Sequence, residues 1–173
     1  MANTWRAVTL ACAYASAKSM IDIFTTDASA VLRAYRMFHL NNGTSAVTGV
    51  LTTMRVNRLT TGAPTGGSAI TPIAHDTSNG SLDAGTTSGT GRTPTRAATP
   101  FRQYLWSNDE PTVSGATLDE WEILIPFAQV WDAGYGDSNV QPLVCRQNQG
   151  VEIQQSGSSA VGTADFEIEF TDT

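Results

Sequence analysis

Along much of the chain, apolar and polar residues alternate with a period of two, the spacing of a β-strand with one face on a core. The clearest case lies at residues 164–171, where Ala164, Phe166, Ile168 and Phe170 alternate with Asp165, Glu167, Glu169 and Thr171. Residues 150–155 alternate similarly through Val151 and Ile153. The Ser/Gly-rich stretch 156–162 between these runs predicts a turn, and the three pieces together predict a hairpin. Further strands are predicted at 141–146 (Leu143, Val144, Cys145), at 117–125 before Pro126 (Leu118, Trp121, Ile123, Ile125) and at the aromatic run 99–107. In the first third, residues 7–17, 18–25 and 45–59 read as strands.

Residues 27–40 are ambiguous. Asp27 would serve as the N-cap of a helix ending before Gly43. As a strand, the segment puts Leu32, Ala34, Phe38 and Leu40 on one face and Tyr35, Met37 and His39 on the other. The strand is favoured, because both neighbours are strands and Asn41-Asn42-Gly43 supplies hairpin-turn chemistry. Residues 60–100 change character and are dominated by Thr, Gly, Ser, Ala and Pro. A polar stretch this long is ordered only when something holds it, either the domain's own surface or neighbouring subunits. Ala69-Ile70-Thr71-Pro72-Ile73 offers an anchor as edge strands. About eight to ten short strands with Gly and Pro turns predict an all-β fold, a jelly-roll-like antiparallel sandwich. The chain is read as one domain over residues 1–173, with 61–100 as a long loop or edge-strand insertion.

Composition narrows the class. Charged residues are 15% of the chain, too few for a coiled coil or a disordered chain. The net charge of −6 argues against general nucleic-acid binding, which needs clustered Lys and Arg. No apolar run approaches the roughly 18–20 residues of a membrane-spanning helix. The run Ala7–Ala17 ends in Ala-x-Ala but is too short and weak for a signal peptide. Asn42-Gly43-Thr44 and Asn79-Gly80-Ser81 match the glycosylation sequon and read better as turns. Cys12 and Cys145 have no metal-ligand spacing; they read as small buried hydrophobes, with one long-range disulfide as the alternative.

No enzyme motif is present: the nucleophile elbow, the phosphate loop and the His-Glu-x-x-His pattern are all missing. His39 and His75 are the only histidines. His75 beside Asp76 would allow a Ser-His-Asp arrangement, but an exposed loop histidine is the simpler reading. Gly89-Thr90-Gly91-Arg92 resembles a phosphate loop only superficially, since no helix follows it. The sequence therefore implies no enzyme, no catalytic residue and no cofactor or metal. The acidic groups Asp119, Glu120, Glu122 and Asp165, Glu167, Glu169 are read as a solvated face, a contact with another subunit, or a calcium site, in that order.

Charge is distributed unevenly. Residues 1–60 hold six basic and two acidic side chains, while residues 61–173 hold four and fourteen. The bases are nearly all arginine, which forms bidentate carboxylate pairs. Such a chain can pair within itself or with copies of itself. Arg33, Arg36, Arg55 and Arg58, with Asp165, Glu167 and Glu169, are the candidate intersubunit contacts. Trp131 and Tyr135 are candidate exposed aromatic contacts, and they admit a glycan as an alternative ligand.

A resemblance adds to this. The succession runs from Val31-Leu32-Arg33-Ala34-Tyr35-Arg36-Met37-Phe38 through Asn42-Gly43-Thr44-Ser45-Ala46 and Arg55-Val56-Asn57-Arg58 to Gly66-Gly67-Ser68-Ala69-Ile70-Thr71-Pro72. It continues with Pro142-Leu143-Val144-Cys145-Arg146, Gly150-Val151-Glu152-Ile153-Gln154-Gln155 and Phe166-Glu167-Ile168-Glu169-Phe170. This order resembles small structural virion proteins of tailed bacteriophages, of the decoration or cement type. The resemblance implies a jelly roll in a virion assembled in the host cytoplasm. It implies partners in copies of itself, as a trimer, and in the major capsid or other virion proteins. It carries no shared site, and it brings in neither nucleic acid nor membrane.

Overall fold

The computed structural model describes residues 3–41, 51–107, 127–134, 140–157 and 162–173. Among them the chain is all-β, with no helix. The strands in chain order are β1 (Asn3–Ala13), β2 (Ser19–Thr25), β3 (Leu32–Asn41), β4 (Leu51–Thr60), β5 (Ser68–Ile70) and β6 (Ile73–Ala74). There follow β7 (Thr86–Thr90), β8 (Arg102–Ser107), β9 (Phe127–Asp132), β10 (Leu143–Cys145), β11 (Gln149–Gln155) and β12 (Thr163–Asp172). They form two antiparallel sheets. The first has the order β10-β3-β12-β1-β6, with β9 also on β3, and the second β5-β7-β2-β11-β4-β8. One edge of β3 is shared: β10 pairs with Leu32–Ala34 and β9 with Arg36–Leu40.

The sheets face each other across one core. The first sheet contributes Ala7, Leu32, Met37, Phe166, Ile168 and Phe170, and the second Ile21, Ile23, Met54, Val56, Val151 and Ile153. Apart from Leu32 and Met37 of β3, these are alternate positions of each strand, so period-2 patterning is what builds the interior. Burying a large aliphatic or aromatic side chain contributes roughly 1.5–3 kcal/mol.

Three sequence expectations change here. First, β11 and β12 are consecutive but form no hairpin: β11 pairs with β2 and β4, and β12 with β1 and β3. The link between them crosses from one sheet to the other, and alternation specifies a strand's faces without specifying its neighbour. Second, β3 and β4 also lie in opposite sheets, so Asn41-Asn42-Gly43 does not close a hairpin between them; Asn42 and Gly43 fall outside the described residues. Third, residues 32–41 are a strand, but its faces differ from those expected. The register with β12 slips between Arg36 and Ala34, which makes Tyr35 the extra residue of a bulge. Parity flips there, so Leu32, Ala34, Met37 and His39 are buried while Phe38 and Leu40 are only partly so.

Residues 61–100 are held by the domain's own sheets. β5 and β7 extend the second sheet beyond β2, and β6 extends the first beyond β1. Residues 91–97 then pass from β2 to the outer edge of β4. Gly91 N donates to Ser19 O (2.7 Å), Ser19 N to Arg92 O (3.0 Å), Thr60 N to Thr95 O (2.9 Å) and Ala97 N to Arg58 O (2.9 Å). Cys12 and Cys145 are both free thiols. They sit on strands separated by β12 and β3, about 14 Å at the usual strand spacing, beyond disulfide reach.

Candidate functional site

The acidic stripe of β12 stands on the outer face of the first sheet. Register places Arg6 of β1 and Arg36 of β3 on either side of Glu169. Arg6 Nη2 donates to Glu169 Oε1, Arg36 Nη1 lies 3.7 Å from Glu169 Oε2, and Arg6 Nη1 lies 3.6 Å from Glu167 Oε2. The Glu169 side chain is 7% exposed, against 40% for Arg6 and 37% for Arg36. Asp165 accepts from Ala11 N (2.7 Å) at a bulge where Ala11 adopts φ 50°. Arg33 Nη1 donates to Thr173 Oγ1. Thus Arg36, Glu167 and Glu169 come together, joined by Arg6, which sequence reasoning had left out. Basic residues of the first third meet acids of the last strand within one chain. Leu10 and Ile73 stand 72% and 63% exposed on β1 and β6 of the same sheet.

Arg55 and Arg58 belong to the second sheet. Arg55 Nε donates to Gln103 Oε1 (2.8 Å). Arg58 reaches toward the first sheet, where its Nη1 donates to Val144 O (2.7 Å), with Gln149 Oε1 at 3.4 Å. The Phe101 ring packs 5.2 Å from its guanidinium carbon, and Trp131 packs on Phe101 at 5.7 Å. Trp131 is half-buried against the core, so it does not form an open stacking platform. Tyr135 lies outside the described residues, as do Asp119, Glu120 and Glu122.

Among the described residues, two ion pairs with fully buried acids lie elsewhere, at the outer face of the second sheet. Asp22 of β2 and Glu152 of β11 are directly opposite in register and fully buried. Arg92 grips Asp22 twice, Nη2 to Oδ1 at 2.6 Å and Nε to Oδ2 at 3.2 Å. Arg96 grips Glu152 through Nε to Oε1 and through Nη2 to Oε2 at 3.1 Å. Ser19 Oγ also donates to Glu152, and Asn57 Nδ2 bridges Glu152 and Gln154 at 2.8 Å each. Burial pushes the Asp22 carboxyl up to about 7, and Glu152 opposite adds to that, while Arg92 pulls it down. Gly89 is in register with Asp22, and a Cβ there would meet Arg92 Nε at 2.1 Å. Only glycine lets the guanidinium lie across the strand. The sequence held one signal for this layer: two arginines stand in an otherwise nearly uncharged stretch.

His39 sits in the core. Its Nε2 is 3.0 Å from Tyr14 Oη and its Nδ1 3.2 Å from Tyr104 Oη. The Trp106 ring stacks on it at 3.7 Å. Burial lowers its pKa to about 3, so the ring is neutral, with one nitrogen donating and the other accepting. The fully buried imidazole between two phenols satisfies polar groups inside an apolar interior. His75 is an exposed loop residue. Among the described residues no group of three or more His, Cys, Asp or Glu converges to hold a metal, and no helix is long and apolar enough to cross a membrane.

Compared with family models, curated proteins and solved structures, the chain matches none.

Proposed function

We propose that this chain is a virion structural protein, a capsid decoration or cement component with a jelly-roll wrap. In this role it grips copies of itself, as a trimer, and the major capsid protein. The observation that carries the reading is the strand order. Let β9 and β10 share one position, and let β5, β6 and β7 count as additions. Among the described residues, the eight remaining positions, numbered along the chain, then alternate 1-8-3-6 in one sheet and 2-7-4-5 in the other. This order supports a jelly-roll wrap, an architecture used by viral capsid and lectin domains. Support also comes from the outer face of the first sheet. There the exposed apolar side chains Leu10 and Ile73 flank partly exposed Arg6, Arg36 and Glu167, a mixture suited to a subunit contact. The mechanism is adhesion by shape and Arg–carboxylate pairing, without catalysis.

Light scattering on the purified protein and its re-binding to shells assembled without it test this reading. Oligomers and saturable shell binding are expected. A monomer that binds no shell overturns it. A carbohydrate-binding module is the second reading, because lectin domains share the strand order; a monomer that retains a glycan would favour it.

A further inference from the structure

We propose that the depression between β10 and β11 is a binding site for an anionic sugar, a pyranose carrying a carboxylate or phosphate. The depression has a volume of about 440 Å³, within the usual range of small-molecule sites and larger than a bare inorganic anion requires. Two guanidinium side chains, Arg58 and Arg146, line it, and no acidic side chain among the described residues does so, in a chain of net charge −6. That concentration of positive charge runs against the molecule's own balance.

The Arg58 guanidinium is set in place by its surroundings. Gln149 Oε1 accepts from Arg58 Nη1 (3.4 Å) and from the backbone N–H of Arg146 (3.1 Å), so one amide ties the Arg58 side chain to the main chain that carries Arg146. Val144 O and the Phe101 ring fix the Arg58 guanidinium further. A planar guanidinium fork matches the oxygens of a carboxylate or phosphate. Gln149, its oxygen taken by two donors, offers its amide N–H groups, and Gln141 offers both a donor and an acceptor, which sugar hydroxyls need, while Pro142 and Leu143 supply an apolar wall. An ion alone would use the charges and leave the amides and the wall without a role.

This inference does not depend on the shell role, since a decoration protein and a free-standing module would both display the site. It shares only its ligand class with the carbohydrate reading, and neutral-sugar binding elsewhere would keep that reading while this one failed.

The test is an NMR titration of the intact chain at low salt with glucuronate, glucose 6-phosphate, glucose and inorganic sulfate. Glucuronate or glucose 6-phosphate is expected to bind saturably, with shifts at Arg146, Gln149 and Gln141, and the tighter of the two identifies the anion. Glucose is expected to bind more weakly by about tenfold or more, the usual worth of a charge-assisted contact. Arg146→Gln, a change at an exposed side chain, is expected to cost a similar factor with an unchanged melting temperature. No saturable binding of either anionic sugar overturns the proposal. So does equal binding of glucose, an unchanged affinity in R146Q, or sulfate binding as tightly as the anionic sugars, which would mean an ion site only.

Discussion

Two buried residues, Asp22 and His39, titrate against each other. Asp22 keeps a proton in the folded state up to about 7, whereas the unfolded chain releases it near 3.8. The folded state therefore binds the extra proton, and stability from this group falls as pH rises between those values. His39 does the reverse. The unfolded imidazole takes up a proton below 6.5, but the buried one refuses it down to about 3, so its contribution falls as pH drops through that range. Each full slope is about 1.4 kcal/mol per pH unit, and between roughly pH 4 and 6.5 they oppose. Urea denaturation across this range should show Asp22→Asn losing stability on acidification more steeply than the parent. His39→Gln should lose it more steeply on raising the pH. Parent-like profiles for both variants would mean that neither group titrates as its burial dictates. Arg92 gives a second test at this scale. Arg92→Met takes away the cation that favours the ionised form, so the buried Asp22 carboxyl should hold its proton to a higher pH still, and stability should keep falling above pH 7, where the parent levels off. Adding Asp22→Asn should abolish that pH dependence; a double variant that keeps the Arg92→Met profile would show that Asp22 is not the group responsible.

At the scale of elements, the segment 91–97 decides why β2 and β11 are buried on both faces. Ile21, Ile23, Val151 and Ile153 face the core, and the guanidinium groups of Arg92 and Arg96 cover the acids on the outer side. Without that cover, Asp22 and Glu152 would stand on the solvated outer face of the second sheet. Gly89 is the point where cover and sheet meet. Gly89→Ala would push a methyl group into Arg92, displace the guanidinium and loosen the segment. Hydrogen exchange should then quicken at Gly91, Thr93 and Ala97, whose amides bond to Ser19, Thr65 and Arg58, while the amides of β12 stay protected. Unchanged exchange at those three positions would mean that Gly89 does not hold the segment. The bulge at Tyr35 is another element-scale feature. One extra residue moves His39 from the face alternation assigns to it into the core, which a period-2 pattern has no means of showing.

For the whole molecule, the uneven charge of the sequence resolves largely within the chain. Arg6 and Arg36 meet Glu167 and Glu169, and Arg92 and Arg96 meet Asp22 and Glu152. The Arg6–Glu167 pair, partly exposed on both sides, is worth only about 0–1 kcal/mol, and Arg6 and Arg36, 40% and 37% exposed, still present guanidinium surface to a neighbour. Arg33→Glu with Arg36→Glu is expected to weaken assembly, more so at low salt, where charge contacts count most. Because Arg36 already faces Glu169, Arg33→Glu alone should weaken assembly with the fold intact; an unchanged yield in both would confine these arginines to their own domain. Alternation along the chain is enough to establish the all-β class, most strand positions and the apolar faces of β11 and β12, since a pleated backbone turns period-2 patterning directly into sides. Composition also told apart the Thr/Gly/Ser-rich stretch 60–100, though not what holds it. Tertiary structure alone decided which strands pair, that β11 and β12 belong to opposite sheets, and where each charge ends up. Pairing depends on edges brought together across long stretches of chain, and a buried acid differs from a solvated one only by the distant arginine that covers it.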